Sequence, residues 1–173
     1  MKRLMIRSLL LSAALSASAA SAAELSVSVQ VPALKVAEYH KPYVAIWVEK
    51  SDQSVAANLA IWYQTRDGKE PGTKWLPELR QWWRRSGRDL SLPVDGVSGA
   101  TRSAGVQTLR FDDRKGVLAK LPPGDYTLVV EAVREVGGRE LLKIPFTWPA
   151  KMPVQTAVQG EHELGTITLD LKP

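Results

Sequence analysis

The sequence predicts an all-β fold, an antiparallel β-sandwich that carries one short inserted helix near residues 75–86. Three observations predict it. Apolar and polar residues alternate in several segments, and a two-residue period is typical of strands with one buried face. These segments are short and follow one another without long helices, which favours antiparallel pairing. The chain of 173 residues has no cysteine, so a hydrophobic core must hold the fold without disulfides.

Seven segments are predicted to be strands. In segment 24–31 every second residue is Leu or Val, with a polar residue between each pair. Segments 43–48 and 59–63 are rich in β-branched and aromatic residues and are expected to be buried more fully. Pro145 places segment 141–148 at an edge or a bend, because proline cannot donate a ladder hydrogen bond. The predicted strands are 24–31, 43–48, 59–63, 104–111, 126–134, 141–148 and 164–171.

The short helix is predicted from Trp75, Leu79 and Trp82, which recur at helical spacing. Pro77 is tolerated in a first turn, and Gly87 is typical of the residue just beyond a helix. Two adjacent tryptophans cannot both face one core from a helix, so one of them is expected to be more exposed, as a stacking platform or a partner contact. For most of the tryptophans core packing is the favoured interpretation.

The first 22 residues predict a secretory signal peptide of bacterial type. Lys2, Arg3 and Arg7 provide the basic start, an apolar run of Leu and Ala follows, and Ala20-Ser21-Ala22 is a cleavage signal. The apolar run is too short to span a bilayer as a stable helix. No second long apolar run follows, so the mature protein is expected in the periplasm without membrane insertion. The predicted division is a signal peptide, 1–22, and a single β-sandwich domain, 23–173.

Composition excludes several classes of partner and cofactor. The formal net charge is +5, but three of the basic residues lie in the predicted signal peptide, so the mature chain is nearly neutral. That balance argues against nucleic acid as a partner. The absence of cysteine excludes Cys-ligated iron–sulfur clusters and c-type haem, and two histidines argue against a zinc or copper site. No metal site is therefore predicted, and a redox function would need an organic cofactor.

The stretch 95–103, Asp-Gly-Val-Ser-Gly-Ala-Thr-Arg-Ser, lies inside segment 86–105, which is predicted to be a long exposed loop. It resembles the acceptor motif of proteins that carry FMN covalently. The motif has Asp, two free positions, a small residue, Gly, Ala, then Thr or Ser, with another hydroxyl two places on. In those proteins a flavin transferase joins the flavin phosphate to the hydroxyl. The resemblance implies FMN on Thr101; the alternative is an ordinary Gly-Ala-Thr turn.

The neighbours of Thr101 suit such chemistry. Two small residues let another protein approach the backbone closely. Serine hydroxyls can hydrogen-bond phosphate oxygens, and a guanidinium pairs well with phosphate. Asp95 either starts the turn through its side chain or contacts the metal of the transferase. The predicted cofactor-binding residues are Asp95, Ser98, Gly99, Ala100, Thr101, Arg102 and Ser103. The Arg84, Arg85 and Arg88 cluster is assigned either to phosphate contacts or to a solvated helix end.

Two further resemblances extend over the chain. Leu121-Pro-Pro-Gly-Asp-Tyr126 is similar to the entry of a late strand in immunoglobulin-like domains, where a tyrosine bonds back to the backbone, so the sandwich is expected to be immunoglobulin-like. Tyr43-Val-Ala-Ile-Trp-Val-Glu49, Leu59-Ala-Ile-Trp-Tyr63, Lys74-Trp-Leu-Pro77 and Gly137-Gly-Arg-Glu140 resemble a periplasmic family catalogued as domain of unknown function 2271, or DUF2271. That resemblance covers nearly all of the mature chain. It implies a flavin carrier paired with a membrane protein that bears PepSY-type domains.

Two functions follow from the sequence. The first is a periplasmic electron-transfer protein with FMN on Thr101 and no turnover chemistry of its own. It would pass electrons between a membrane-embedded reductase of PepSY type and an acceptor such as ferric iron or a siderophore. The alternative is a non-enzymatic immunoglobulin-like adaptor or binding module, since fold does not determine function. A hydrolase is the weakest option, because no catalytic triad or carboxylate pair can be placed.

Overall fold

The computed structural model describes residues 22–65 and 72–173. The expected signal peptide therefore lies almost wholly outside the described residues. The described chain contains nine strands: β1 (Glu24–Val31), β2 (Tyr43–Glu49), β3 (Val55–Tyr63), β4 (Ser98–Ala100), β5 (Gly105–Asp112), β6 (Gly124–Val133), β7 (Arg139–Trp148), β8 (Val154–Gln159) and β9 (Thr166–Lys172). A 3-10 helix (Gly72–Glu78), helix α1 (Arg80–Arg85) and two 3-10 turns (Gly87–Asp89 and Gly116–Leu118) complete it.

The strands form two sheets, which confirms the predicted all-β sandwich. One sheet has four strands in the order β5-β1-β9-β8, and the other has five in the order β4-β3-β2-β6-β7. Every neighbouring pair is antiparallel except β3 and β4, which are parallel. The tyrosine predicted from the 121–126 turn also behaves as expected, because the Tyr126 hydroxyl donates a 2.8 Å hydrogen bond to the Pro122 carbonyl.

The inner core lies between the two sheets, where the alternating residues meet. All four apolar residues of β1, from Leu25 to Val31, are at most 2% exposed. They share this core with alternate residues of β6, from Tyr126 to Ala132, in the opposite sheet. Complete burial of a Val or Leu side chain stabilises the fold by about 1.5–3 kcal/mol. The predicted inward faces of these two strands and of β9 are confirmed.

A second cluster covers the outer face of the five-stranded sheet. Trp47, Ile61 and Val129 point away from the inner core and pack against Leu79 and Trp82 of the helical segment. The central strands β2, β3 and β6 of this sheet are therefore buried on both faces, whereas the outer face of the edge strand β7 is largely exposed. That arrangement explains why β2 and β3 carry nearly continuous apolar runs, as the sequence predicted.

The helical segment begins earlier than predicted and is divided in two. A 3-10 helix runs through Pro77, and α1 starts only at Arg80. Leu79 occupies the cap position and has no side-chain hydrogen bond to offer. The Glu131 carboxylate on β6 takes over this role, because it accepts the N–H groups of Gln81 at 3.1 Å and Trp82 at 2.8 Å. A buried side chain of the sheet thus sets the start of the helix.

Two further differences concern segments without a clear apolar period. Strand β8 was not predicted, because its residues are almost all exposed and it pairs only with β9 at the edge of the four-stranded sheet. The 86–105 segment was predicted to be a loop throughout, but it contains a 3-10 turn and strand β4. Strand β7 lies at the other edge of the five-stranded sheet, as Pro145 predicted.

Within residues 22–65 and 72–173, none of the helices combines the length and the apolar character needed to cross a membrane.

Candidate functional site

The predicted acceptor motif forms the edge of the five-stranded sheet. Residues 98–100 run parallel to the end of β3, and Ala100 lies opposite Tyr63. The N–H of Thr101 donates to the Tyr63 carbonyl at 3.1 Å, so the pairing continues one residue beyond β4. Thr101 is half-buried, whereas the three residues after it are exposed. Residues 98–101 of the motif are therefore extended along the open edge of the sheet. Their neighbour is strand β3, most of whose side chains are buried.

A turn at residues 94–97 leads into β4. Gly96 has a φ of 69°, which non-glycine residues rarely adopt, and the Val97 N–H closes the turn on the Val94 carbonyl at 3.2 Å. The Ser98 hydroxyl accepts the Val94 N–H at 2.9 Å and thereby stabilises the turn. Asp95 occupies the second position of the turn, and its side chain is exposed.

Arg102 and Gly99 meet over the ring of Trp62. The Arg102 guanidinium lies 5.5 Å from the ring centroid, a cation–π distance, and no ion pair with a carboxylate is found for it among the described residues. A Cβ added at Gly99 would stand 3.7 Å from both side chains, which is an ordinary contact. Packing within this chain therefore does not require glycine at that position. Ala100 and Ser103 are exposed, and the Ser103 carbonyl accepts a 3.3 Å hydrogen bond from Gln107.

Thr101 lines a cavity of about 750 Å³ at one end of the five-stranded sheet. This is the end where β2 and β7 begin and where β3, β4 and β6 finish. The walls come from the segment before β2, the end of β3, the 3-10 helix and the turn between β6 and β7. The lining residues are Tyr39, His40, Lys41, Tyr43, Gln64, Trp75, Glu78, Arg80, Thr101, Val133, Arg134, Glu135, Val136, Gly137, Gly138 and Arg139.

Cationic groups outnumber carboxylates around the cavity. Lys41, Arg80, Arg134 and Arg139 are the permanent cations, and Glu78 and Glu135 are the acids. Several cations are already paired: Arg139 Nε lies 2.6 Å from the buried Glu131 carboxylate, and Arg80 is 3.8 Å from Glu78. Arg134 is paired with Glu163 in the same way, so four carboxylates balance the four cations once the buried partners are counted.

Arg134 is the most enclosed of these cations. Its Nε and Nη2 donate to the two oxygens of Glu163 at 2.8 and 3.1 Å, and both side chains are buried. Its remaining nitrogen, Nη1, is buried and has no hydrogen-bond partner among the residues that the structure describes. A buried donor without an acceptor is costly, and because this atom is buried it is not open to a group in the cavity.

Tyr43 provides a neutral polar group in the cavity wall. Burial raises the pKa of its phenol above the ordinary value of 10.0, and the negative charge of Glu135 acts in the same direction. A hydrogen bond with the backbone of Gln64 acts in the opposite direction without cancelling the rise. The phenol therefore keeps its proton at neutral pH and can donate it to an acceptor in the cavity.

The tryptophans divide into structural and accessible ones. Trp82 is fully buried and donates from Nε1 to Asn58 Oδ1 at 2.9 Å. Trp83 is half-buried with its ring 6.2 Å from that of Trp82, so the two neighbours do differ in exposure. Trp75 is 48% exposed and lines the cavity. The helix-end arginines are exposed and do not belong to the cavity wall; they are Arg84, Arg85 and Arg88.

The turn between β6 and β7 and the phenol of Tyr43 were not identified from the sequence as parts of a site. The only signal in that turn is Gly137-Gly-Arg-Glu140, which contributed to the family resemblance without indicating a role. Within residues 22–65 and 72–173 no group of three or more His, Cys, Asp or Glu side chains is placed to hold a metal ion.

Comparison with curated proteins and with solved structures finds no match. The family model of DUF2271, described as a predicted periplasmic protein, matches residues 24–166, which include all but one of the nine strands in full. The chain therefore belongs to the DUF2271 family of predicted periplasmic proteins.

Proposed function

We propose that this protein is a periplasmic electron carrier that holds FMN as a phosphoester on Thr101. One observation carries the proposal. The acceptor motif has three hydroxyl residues, Ser98, Thr101 and Ser103, and of these only Thr101 lines the 750 Å³ cavity. Small-molecule sites in proteins typically measure roughly 300–1,000 Å³, so the cavity has a suitable size. The family description supports the periplasmic location.

The residues around Thr101 fit a phosphorylated flavin. Arg102 is adjacent in sequence and is engaged only with the ring of Trp62 among the described groups, so its guanidinium is available to a phosphodiester oxygen. When bound, the flavin supplies the redox chemistry, while the protein holds and tunes it.

Attachment requires a separate flavin transferase. The Thr101 Oγ–H bond is replaced by an Oγ–P bond, and the proton must go to a base of the transferase, because the motif contains no His or Lys. The phosphate donor needs a leaving group, and a flavin dinucleotide provides one: its pyrophosphate bond breaks and AMP departs. Strand β4 has only three residues and stands at an open sheet edge, which allows it to be presented to another active site in extended form.

Electron transfer then needs a donor and an acceptor outside this chain. A membrane protein with PepSY-type domains is the proposed donor, and ferric iron or a siderophore complex is the proposed acceptor. The chain itself needs no turnover chemistry for this role. A covalent bond also suits an exported carrier, because a dissociated cofactor would be lost from the compartment.

The test is co-expression with a flavin transferase in the periplasm, followed by intact mass measurement after denaturation. Wild-type protein is expected to retain the mass of FMN, and Thr101→Ser to retain it as well. Thr101→Val preserves the side-chain shape without the hydroxyl and is expected to abolish attachment. Thr156→Val is the matched control and is expected to keep FMN attached, because it makes the same substitution at an exposed threonine on β8 in the other sheet.

Two results would contradict the proposal. One is unmodified wild-type protein in cells whose transferase modifies another substrate, a result that favours the non-enzymatic adaptor. The other is flavin that persists in Thr101→Val, which would move the attachment to another residue.

A further inference from the structure

Large apolar side chains are exposed around the mouth of the cavity. Seven such side chains are exposed in residues 22–65 and 72–173, and three of them, Tyr39, Trp75 and Val136, line this one cavity. Their exposed fractions are 39%, 48% and 77%. Concentration of exposed apolar surface in one place is typical of a binding site.

We propose that this cavity receives the isoalloxazine ring and that Trp75 is the surface on which the ring stacks. This inference rests on the proposed attachment at Thr101. It goes further, because a flavin attached at Thr101 could equally project into solvent. The two residues line the same cavity, so a ring tethered at Thr101 can fold back onto the indole.

The structure selects Trp75 from the six tryptophans of the chain. Three of the others are buried, Trp47, Trp82 and Trp148. The ring of Trp62 is covered by Arg102, and Trp83 is half-buried and does not line the cavity. Trp75 stands on the 3-10 helix beside Leu76, whose complete burial anchors that helix. Lys74 Nζ lies 5.1 Å from the Trp75 ring centroid and covers one face of the indole, so the stacking surface is the opposite face.

A polar group of the wall matches the polar end of such a ring. The isoalloxazine ring has carbonyl oxygens at one end and an apolar benzenoid part at the other. Tyr43 offers a protonated phenol in the wall of the cavity. A ring carbonyl would accept the hydrogen bond that this phenol can donate. The apolar end would lie against Trp75 and Val136.

The first experiment uses the flavinylated protein and measures flavin emission and its anisotropy. A stacked indole quenches flavin emission, so wild-type protein is expected to be several-fold dimmer than free FMN and to show high anisotropy. Trp75→Ala is expected to restore the emission and lower the anisotropy, while the intact mass still shows attached FMN. Val106→Ala is the matched control, because Val106 is 66% exposed on β5 in the other sheet.

The second experiment removes the tether. Unmodified Thr101→Val protein is titrated with free FMN. Adding Trp75→Ala is expected to weaken binding ~10-fold, because it removes the aromatic side chain on which the planar ring stacks. Trp75→Phe keeps an aromatic ring and is expected to bind more tightly than Trp75→Ala. Far-UV circular dichroism checks that each variant is folded.

These experiments separate the two proposals. Attached FMN whose emission matches free FMN and does not respond to Trp75→Ala overturns the cavity assignment and leaves the carrier function intact. Absence of attachment together with Trp75-dependent FMN binding overturns the tether and supports the cavity. Absence of both attachment and binding overturns both.

Discussion

Arg134 and Glu163 are both almost fully buried, with exposed side-chain fractions of 6% and 4%, and they meet in a bidentate ion pair. Glu163 also accepts the Gly138 N–H at 2.7 Å. A Cβ at Gly137 would lie 2.6 Å from Cζ of Arg134, so glycine is needed for the close approach of the turn to this guanidinium. The pair therefore joins the β6–β7 turn, which forms part of the cavity wall, to the segment before β9.

We expect Glu163→Ala to lower the free energy of unfolding by about 3–5 kcal/mol, because it leaves the Arg134 charge buried without its partner. Urea unfolding followed by tryptophan fluorescence measures this change. Glu161→Ala is the control: its side chain is 83% exposed, and a change within about 0.5 kcal/mol is expected. Equal stability of the two variants would show that the buried pair contributes little.

At the level of single residues, the sequence points to a candidate site residue only where that residue belongs to a short motif. Thr101 is proposed as the acceptor because its neighbours resemble a motif at fixed offsets, and this stays a prediction. Arg134 could not be identified, because a lone arginine at the end of a strand has no local signature. Arg134 is buried in an ion pair with Glu163, which lies 29 positions away in the sequence.

Glu140, at the start of β7, organises the connection between β8 and β9. Its carboxylate accepts the backbone N–H groups of four successive residues, 161–164, at 2.6 to 3.0 Å. Burial raises the pKa of Glu140, but the four backbone donors outweigh that effect and hold the pKa below its ordinary value of 4.5. The carboxylate thus stabilises the turn in its ionised form.

This pKa shift predicts a stability change in acid. The folded state binds the Glu140 proton less tightly than the unfolded state, so its contribution is complete above the ordinary pKa of 4.5 and is lost as pH falls through the lower pKa of the folded protein. Glu140→Gln is expected to be less stable than wild type at pH 7, and the difference is expected to narrow towards about pH 3. Urea unfolding over this pH range tests it, with Glu161→Gln as the exposed control. A difference that does not change with pH would contradict the assignment.

At the level of elements, strands with an apolar period were predicted with small errors at their ends. The first strand and the inward face of β6 agree with the prediction. The start of α1 differed from the prediction because it is determined by Glu131, which is distant in sequence. Strand β8 was missed because an exposed edge strand has no apolar period to detect.

The whole molecule is built around a five-stranded sheet whose central strands are buried on both faces. The inner core contains residues of both sheets, and the outer cluster joins this sheet to the helical segment. Strands β2, β3 and β6 contribute residues to both clusters. If the helical segment no longer packed on the sheet, apolar surface would be exposed on strands that also form the inner core. The outer cluster is therefore a structural part of the domain as well as the support of Trp75.

Two tryptophan variants test this division of roles. Trp82→Ala is expected to lower the free energy of unfolding by about 3–5 kcal/mol, because it empties a fully buried site and removes the partner of Asn58. Trp75→Ala is expected to change it by less than about 1 kcal/mol, since that side chain is half exposed. Thermal and urea unfolding measure both. A strongly destabilised Trp75→Ala protein would indicate a packing role instead of a ligand surface.

The sequence by itself determined the fold class, the inward faces of the regular strands, the family and the residue proposed to accept FMN. These properties depend on local alternation, composition and short motifs, which are all visible in the sequence. Tertiary structure alone decided that β4 pairs in parallel with β3 and that the exposed Trp75 lines the same cavity as Thr101. It also decided that Tyr43 and Arg134 line that cavity. The physical reason is that the cavity forms where the ends of five strands converge, and no local pattern specifies which strand ends meet.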